Sequence, residues 1–346
     1  MHRVRHARRV TPDDAPAASE VGRAFALPGS PERLVPAVGG WSNRVFRLDT
    51  TRGSYAVKEL RNAWGEPRWR DWLDEGWRVE LAARHTGIAV PEPVPNQVTG
   101  AALAEVERGD GSGTASVRVH RWVDSVAVRR EPVAVDLGRW VGGALAALHA
   151  CELRPLAADL YRGRVGLTTA DVWPELVARS STVDAPWTAD LVRGESLARR
   201  ASSLLGTWDA DDEVLCHGDV DQKNLLLGPE GPLLCDWDVV LPRLPAHDLA
   251  EAALSMASWR TPSVAAAVVR GYRDAGGVVD QLAPGDLGPS LASRLGWIRF
   301  TVDRAVEART AGRGVNADAD DPDVSDLLAD LGHRVRIAES LDNWLT

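Results

Sequence analysis

The stretch VLCHGDVDQKNLLLGPEGPLLCDWDVV, residues 214 to 240, sets His217, Asp219, Asp221, Lys223, Asn224, Asp236 and Asp238 between strongly apolar flanks. Charge amid apolar sequence is costly to bury unless it is paired, hydrogen-bonded or bound to a metal, so the stretch is either a surface hairpin or a site. Upstream, Gly39 and Gly40 open two strand-like runs, Lys58 lies on the second of them, and Glu75 and Glu80 fall within a helical pattern. Taken alone, each has an ordinary structural reading as a turn, an exposed strand lysine or a cap. Taken together, they have the order and types required for transfer of a phosphoryl group from Mg-ATP. A glycine turn lets backbone N–H groups approach phosphates, and a strand lysine supplies a point charge held by a helix carboxylate. A loop aspartate lies near the acceptor hydroxyl, and an asparagine with a second aspartate holds a hard cation. Asn224 follows Asp219 by five residues, enough for a loop to turn one side chain toward substrate and the other toward metal. The runs LLL and PLLCD around the turn GPEG then read as a hairpin that returns Asp236 beside Asn224.

The basic residues sharpen this reading. Of 40 lysines and arginines only Lys58 and Lys223 are lysine, so the two lysines stand out wherever arginine would serve. Other standard sites are absent: no lysine follows a glycine as a phosphate loop requires, and there is no HExxH, CxxC or GxSxG. GDGSGT lacks the third glycine of a dinucleotide fingerprint and leads into a strand, which makes it a turn. Cys151, Cys216 and Cys235 are odd in number and widely spaced, reading as small buried hydrophobes rather than as a disulfide framework or zinc site. A net charge of -9 argues against nucleic acid as a partner and suits a cationic or neutral ligand better. No apolar run approaches the ~18 residues of a spanning helix, and the basic start MHRVRHARR leads into VTPDDAPAASE rather than an apolar signal core. The expectation is a cytoplasmic protein with neither a membrane nor a nucleic-acid partner.

Elements that would position these residues follow from periodicity. Residues 1–17 read as a flexible basic tail. SEVGRAFAL has helical spacing, and Val45, Phe46, Leu48, Tyr55 and Val57 alternate with period two about the turn DTTRGS, a hairpin signature. RWRDWLDEGWRVELAARHTG places Trp69, Trp72, Leu73, Trp77, Leu81 and Ala82 on one helical stripe. Strand-like runs from Ala102 to Glu107 and from Ser116 to Val123 flank RGDGSG. Beyond them Leu137, Val141, Ala144, Leu145 and Leu148 form a helical face, and most of residues 170–206 and 248–345 also read as helix. NADADDPDVSD reads as a solvated acidic loop with helix-capping aspartates. The prediction is an α+β fold of two lobes: residues 18–123, an antiparallel β-sheet with an inserted helix, and residues 124–346, larger and mainly helical.

VLCHGDVDQKNLLL followed by LLCDWD and HDLA resembles the aminoglycoside phosphotransferase and choline kinase family, small-molecule kinases related to protein kinases. GGWSNRVFRL, YAVKEL, GIAVPEPV and LGRWVGGALAALHA resemble that family's pieces in the same order, so the likeness covers roughly residues 36 to 255. It implies a bilobal, protein-kinase-like fold with the active site between the lobes. Asp219 would orient the acceptor hydroxyl and accept its proton, and His217 would brace its loop by hydrogen bonding. Asn224 and Asp236 would ligate Mg²⁺. Lys58 would contact the α- and β-phosphates of ATP, with Glu75 rather than Glu80 as its helix glutamate. Gly39, Gly40, Ser42 and Asn43 would border the phosphates, and the backbone of His120, Arg121, Trp122 and Val123 would receive adenine. The sequence departs from the family two residues after Asp219, where Asp221 stands in place of lysine or histidine. Lys223 would then neutralise the transferring phosphate or pair with Asp221. Asp238 would help with metal or substrate or, more in keeping with the pattern, be a structural cap, and Asp248 would tie its loop to the following helix. The function implied is transfer of the ATP γ-phosphate to a hydroxyl of a small molecule, an antibiotic of aminoglycoside-like or other hydroxyl-bearing type. The alternatives are a choline- or homoserine-type metabolite kinase and a non-catalytic nucleotide-binding module. A protein kinase fits less well, because no APE follows Asp236 and VVLPRLPAHDLA leaves almost no activation segment.

Overall fold

Alternation about the two-residue turn Thr51-Arg52 folds β2 (Arg44–Thr50) against β3 (Gly53–Leu60), with Phe46 opposite Val57 and Leu48 opposite Tyr55. The computed structural model describes residues 14–37, 43–62, 66–157, 159–161, 167–311 and 323–345. Helix α1 (Ala18–Ala24) and β1 (Pro31–Pro36) precede that hairpin; after it come α2 (Trp69–His85), β4 (Pro93–Val94), β5 (Ala104–Glu107), β6 (Thr114–Arg121) and β7 (Val126–Ala127). The chain continues through α3 (Val135–His149), α4 (Trp173–Ser181), α5 (Thr188–Ser203), β8 (Val214–Cys216), β9 (Leu225–Gly228), β10 (Gly231–Leu234) and β11 (Leu241–Arg243). It ends in α6 (Pro245–Met256), α7 (Pro262–Asp274), α8 (Gly288–Thr310), α9 (Val324–Glu339) and α10 (Asp342–Leu345).

Two compact units result: residues 1–127 with 224–240, and residues 128–223 with 241–346. The hairpin carrying Asn224 and Asp236 therefore groups with the first unit, whereas a boundary at residue 123 puts it with the helical part. The physical reason is its bonding to that unit: the Leu234 N–H donates to the Ala89 carbonyl at 2.9 Å, and Lys58 Nζ of β3 donates to Asp236 Oδ1 at 2.6 Å.

In the first unit the antiparallel sheet runs β1-β2-β3-β6-β4, with β5 also on β6. Its core gathers Phe46, Leu48, Tyr55, Val57, Val117 and Val119 with Val21 of α1 and Phe25 just after it. Residues 14–17 are not a tail. Ala17 N–H donates to the Glu107 carbonyl at 2.8 Å, Gly109 N–H donates to that of Ala15 at 2.8 Å, and Asp14 pairs with Arg44 at 3.0 Å. Helix α2 buries Trp72, Leu73 and Trp77 as its stripe predicts, but Leu81 is 41% exposed while Glu75 and Glu80 are buried. Burial of those carboxylates is possible because both are ion-paired.

In the second unit α3 crosses α7 at close quarters through Gly142 and Gly271; a Cβ on Gly142 would lie 2.0 Å from the Val268 carbonyl oxygen. Prolines that broke the sequence pattern sit in the first turn of α4, α6, α7 and α8, where a missing N–H costs nothing. The acidic run ends on a cap, Asp323 accepting from the Asp326 N–H at the start of α9. No helix among the described residues is long and apolar enough to cross a membrane.

Candidate active site

Strand β10 is followed by Cys235, whose N–H donates to the Asn224 carbonyl at 2.9 Å, so the hairpin extends one step past its ladder and brings Asp236 toward Asn224. There the chain turns sharply: Asp236 has φ 72° and ψ 61°, a left-handed conformation that aspartate tolerates better than most residues. Trp237 is fully buried, and its carbonyl lies against Gly76 of α2, where a Cβ would come within 2.3 Å of the oxygen. Only glycine admits that approach. The turn therefore presents Asp236 and Asp238, two residues apart, with their backbone wedged on α2.

Both aspartates engage Lys58. Its Nζ donates to Asp236 Oδ1 at 2.6 Å and forms an ion pair with Asp238. Burial would lower the Lys58 pKa, but Asp238 and then Asp236 outweigh it and hold the group above the ordinary lysine range. Asp238 is not a cap. Its carboxylate bridges Lys58 and Arg118 of β6, and although burial favours the neutral form, those two cations keep it well below the usual carboxylate range. Arg118 pairs onward with Glu80, which also binds His120 Nε2 at 2.9 Å. Burial opposes the Glu80 charge, and Arg118 and His120 overcome it, lowering its pKa.

Glu75 is buried on α2, and its carboxylate takes Arg78 at 2.6 Å, one helical turn on. The Lys58 ammonium pairs with the two aspartates rather than with Glu75 or Glu80. Asn43 sits close by: its Nδ2 lies 3.4 Å from Asp238 Oδ2, and its Oδ1 accepts the Arg61 N–H. Gly39, Gly40 and Ser42 lie outside the described residues. At the end of β6, the Arg121 N–H goes to the Glu92 carbonyl and the Trp122 N–H to that of Ser54, both within the sheet, and the His120 ring is spent on Glu80. Of the residues 120–123, Val123 alone lies beyond these pairings and half-buried. Asn224 and Asp236 offer an amide oxygen and a carboxylate, the hard donors that Mg²⁺ takes.

The second unit carries the other predicted residues. His217 is fully buried, and its Nδ1 accepts the Asp219 N–H at 3.3 Å across Gly218, whose φ of 80° makes the turn. Lys223 Nζ reaches both oxygens of Asp219, at 3.0 and 2.9 Å; burial opposes its charge, and Asp219 raises its pKa. Lys223 thus pairs with Asp219 rather than with Asp221, which instead accepts the Lys223 backbone N–H at 3.1 Å. Buried Gln222 anchors the same turn, donating to the carbonyls of Ser255 and Glu131 at 2.6 and 3.2 Å and to Ser258 Oγ at 2.9 Å. Asp248 of α6 meets His149 of α3 at 3.3 Å, and the other imidazole nitrogen of His149 meets the Tyr272 hydroxyl at 3.0 Å.

The sequence model of the phosphotransferase enzyme family matches residues 33–284. The chain belongs to that family. The phosphotransferase has a protein-kinase-like fold, an antiparallel sheet followed by a helical part, shared with solved structures of low identity. A spectinomycin phosphotransferase in complex with ADP and spectinomycin is 13% identical with a TM-score of 0.55, covering 90% of this chain and 92% of that one. An amicoumacin kinase in complex with AMP-PNP, Ca²⁺ and its antibiotic is 14% identical, TM-score 0.57, covering 90% of each chain. A choline kinase from Streptococcus pneumoniae is 15% identical, TM-score 0.50, covering 93% of this chain and 98% of that one. No curated protein matches the sequence.

Sequence reasoning did not single out Arg118 or Gln222. The signal for the first was present, since Ser116, Arg118 and His120 alternate with Ala115, Val117 and Val119 and set two basic groups on one face of a core strand.

Proposed function

We propose that this phosphotransferase moves the γ-phosphate of ATP to a hydroxyl of a small molecule, an antibiotic of aminoglycoside-like or other hydroxyl-bearing type. The observation that carries the reading is the 2.6 Å contact of Lys58 with Asp236, which puts a cation for phosphates beside a carboxylate for metal. Asp219 accepts the proton as the acceptor oxygen bonds to the γ-phosphorus and the bond to the β,γ-bridging oxygen breaks, releasing ADP. Lys223, paired with Asp219, supplies positive charge to the transferring phosphoryl group. Lys58 holds the α- and β-phosphates. Backbone groups of residues 120–123 receive adenine, foremost those of Val123, and Asn43 borders the phosphates. Asn224 and Asp236 would hold Mg²⁺, which would supply positive charge to the phosphates. The antibiotic assignment draws support from the kinases of spectinomycin and amicoumacin among the similar structures, and from a net charge of -9 that suits a cationic acceptor. The second reading, a metabolite kinase, draws on the similar choline kinase.

A coupled ADP-release screen across a panel of hydroxyl-bearing antibiotics and amino-alcohol metabolites tests both. Turnover with an antibiotic and a phosphorylated product by mass spectrometry is the expected result. Turnover with metabolites alone establishes the second reading, and ATP binding without turnover on any acceptor overturns both.

A further inference from the structure

Lys58 and Arg118 are cross-strand partners in the β3/β6 ladder, so the sheet register sets two cations directly opposite each other, an arrangement that repels. Their side chains are 14% and 2% exposed, so water screens little of that repulsion. Asp238, at 7% exposure, lies on both. Arg118 turns its other terminal nitrogen to Glu80, whose second carboxylate oxygen takes His120, and its guanidinium sits 5.9 Å from the Trp77 ring centroid. Charge therefore alternates in sign from Lys58 through Asp238 and Arg118 to Glu80, tying the sheet to α2. Asp236 also holds Lys58, but that carboxylate is the one assigned to metal. When a cation takes it, Asp238 is the acid that stays on the ammonium.

We propose that Asp238 and Arg118 are positioning residues for Lys58: Asp238 holds the ammonium in place opposite Arg118, and Arg118 anchors Asp238 to α2 through Glu80. The inference rests on the reading of Lys58 as a phosphate-binding residue. It assigns to a second aspartate and a strand arginine the hold on the lysine that the sequence pattern gives to a helix glutamate.

The test compares binding of ATP with binding of adenosine, which lacks phosphates, to the full chain. A merely structural role moves both ligands together, whereas a positioning role moves ATP alone. Asp238→Asn keeps the shape, leaves two buried cations facing each other and weakens ATP about tenfold or more, the worth of a charge-assisted hydrogen bond, with adenosine within about twofold. Arg118→Met combined with Asp238→Asn removes one cation with one anion and recovers part of that loss. If Asp238→Asn does not fold, this double variant replaces it, with ATP weakened and adenosine retained as the expected result. ATP affinity unchanged in whichever variant folds overturns the proposal, as does equal loss of both ligands. Lys58→Met separates the inference from the reading beneath it. If that variant binds ATP normally, the phosphate role of Lys58 fails; if it loses ATP while Asp238→Asn does not, only the positioning role fails.

Discussion

Gly76→Ala is the sharpest probe of the turn that carries Asp236. The added Cβ would stand 2.3 Å from the Trp237 carbonyl oxygen, where ordinary contact begins at 3.4 Å, and the obstacle is backbone rather than the far end of a flexible side chain. Helix α2 and the turn must therefore part by about 1 Å, an overpacking strain of ~1–3 kcal/mol. Alanine recovers ~1 kcal/mol of helix propensity in the same substitution, which leaves a net destabilisation of ~0–2 kcal/mol, centred on about 1 kcal/mol. The functional effect is larger in proportion, because the segment that moves carries Asp236 on one side of Trp237 and Asp238 on the other. Displacements near 1 Å cost up to ~10²-fold in a positioned site. The expected outcome is a thermal midpoint a few degrees lower and Mg-ATP affinity by titration calorimetry reduced about tenfold or more. Gly143→Ala in α3 is the control, since its nearest neighbour is the Ala275 Cβ at 3.9 Å. There propensity acts unopposed and stability rises by ~0.5–1 kcal/mol. If Gly76→Ala behaves like Gly143→Ala, stabilised and with nucleotide affinity intact, the wedging of the turn on α2 is wrong.

Asp219→Asn should leave ATP affinity nearly intact while lowering transfer ~10²- to 10⁴-fold, and transfer within about tenfold of the parent with a true acceptor would sink its role as base. Burial, then Asp236, pushes the Cys235 thiol up to about 12 from 9.0, and burial, then Asp248, raises Cys216 well above 9.0. Both thiols stay protonated in the folded chain and ionise on unfolding at high pH. Their contribution is full below pH 9 and is lost as pH rises toward about 12. Urea midpoints should therefore fall across that window, less steeply in Cys235→Ala, and an identical slope in the variant contradicts the shift. Tyr272→Phe removes the hydroxyl 3.0 Å from buried His149 Nδ1 and should cost ~1–3 kcal/mol in urea unfolding; an unchanged midpoint means that the imidazole does not depend on it.

Much of the fold was legible because its signals are local. The β2/β3 hairpin, the tryptophan face of α2, the turn GPEG and the helical face of α3 each follow from spacing within one element, and all are present. The parts that escaped are those whose stability comes from elsewhere in the chain. Residues 14–17 have the composition of a tail, yet they pair with the end of β5 and with Arg44. Strand β1 begins and ends on proline and is held by its pairing with β2. Leu81 matched the apolar stripe of α2 and faces outward, while two glutamates of the same helix turn inward to cationic partners.

The sequence by itself determined which chemistry is present: the order of Lys58, Asp219, Asn224 and Asp236, the hairpin that joins the last two, and membership of the phosphotransferase family. These are properties of chain order and of turns a few residues long. Only the tertiary structure decided which charge meets which. Lys58 reaches Asp236 across 178 residues, Arg118 faces Lys58 because of the β3/β6 register, and Lys223 turns to Asp219 rather than Asp221. A slip of one residue in that register would send Arg118 to the opposite face of the sheet, and composition contains nothing that forbids it. Pairing of buried charges is settled by distances of a few ångströms between distant segments, which the packing of α2 on Trp237 and the sheet register set together.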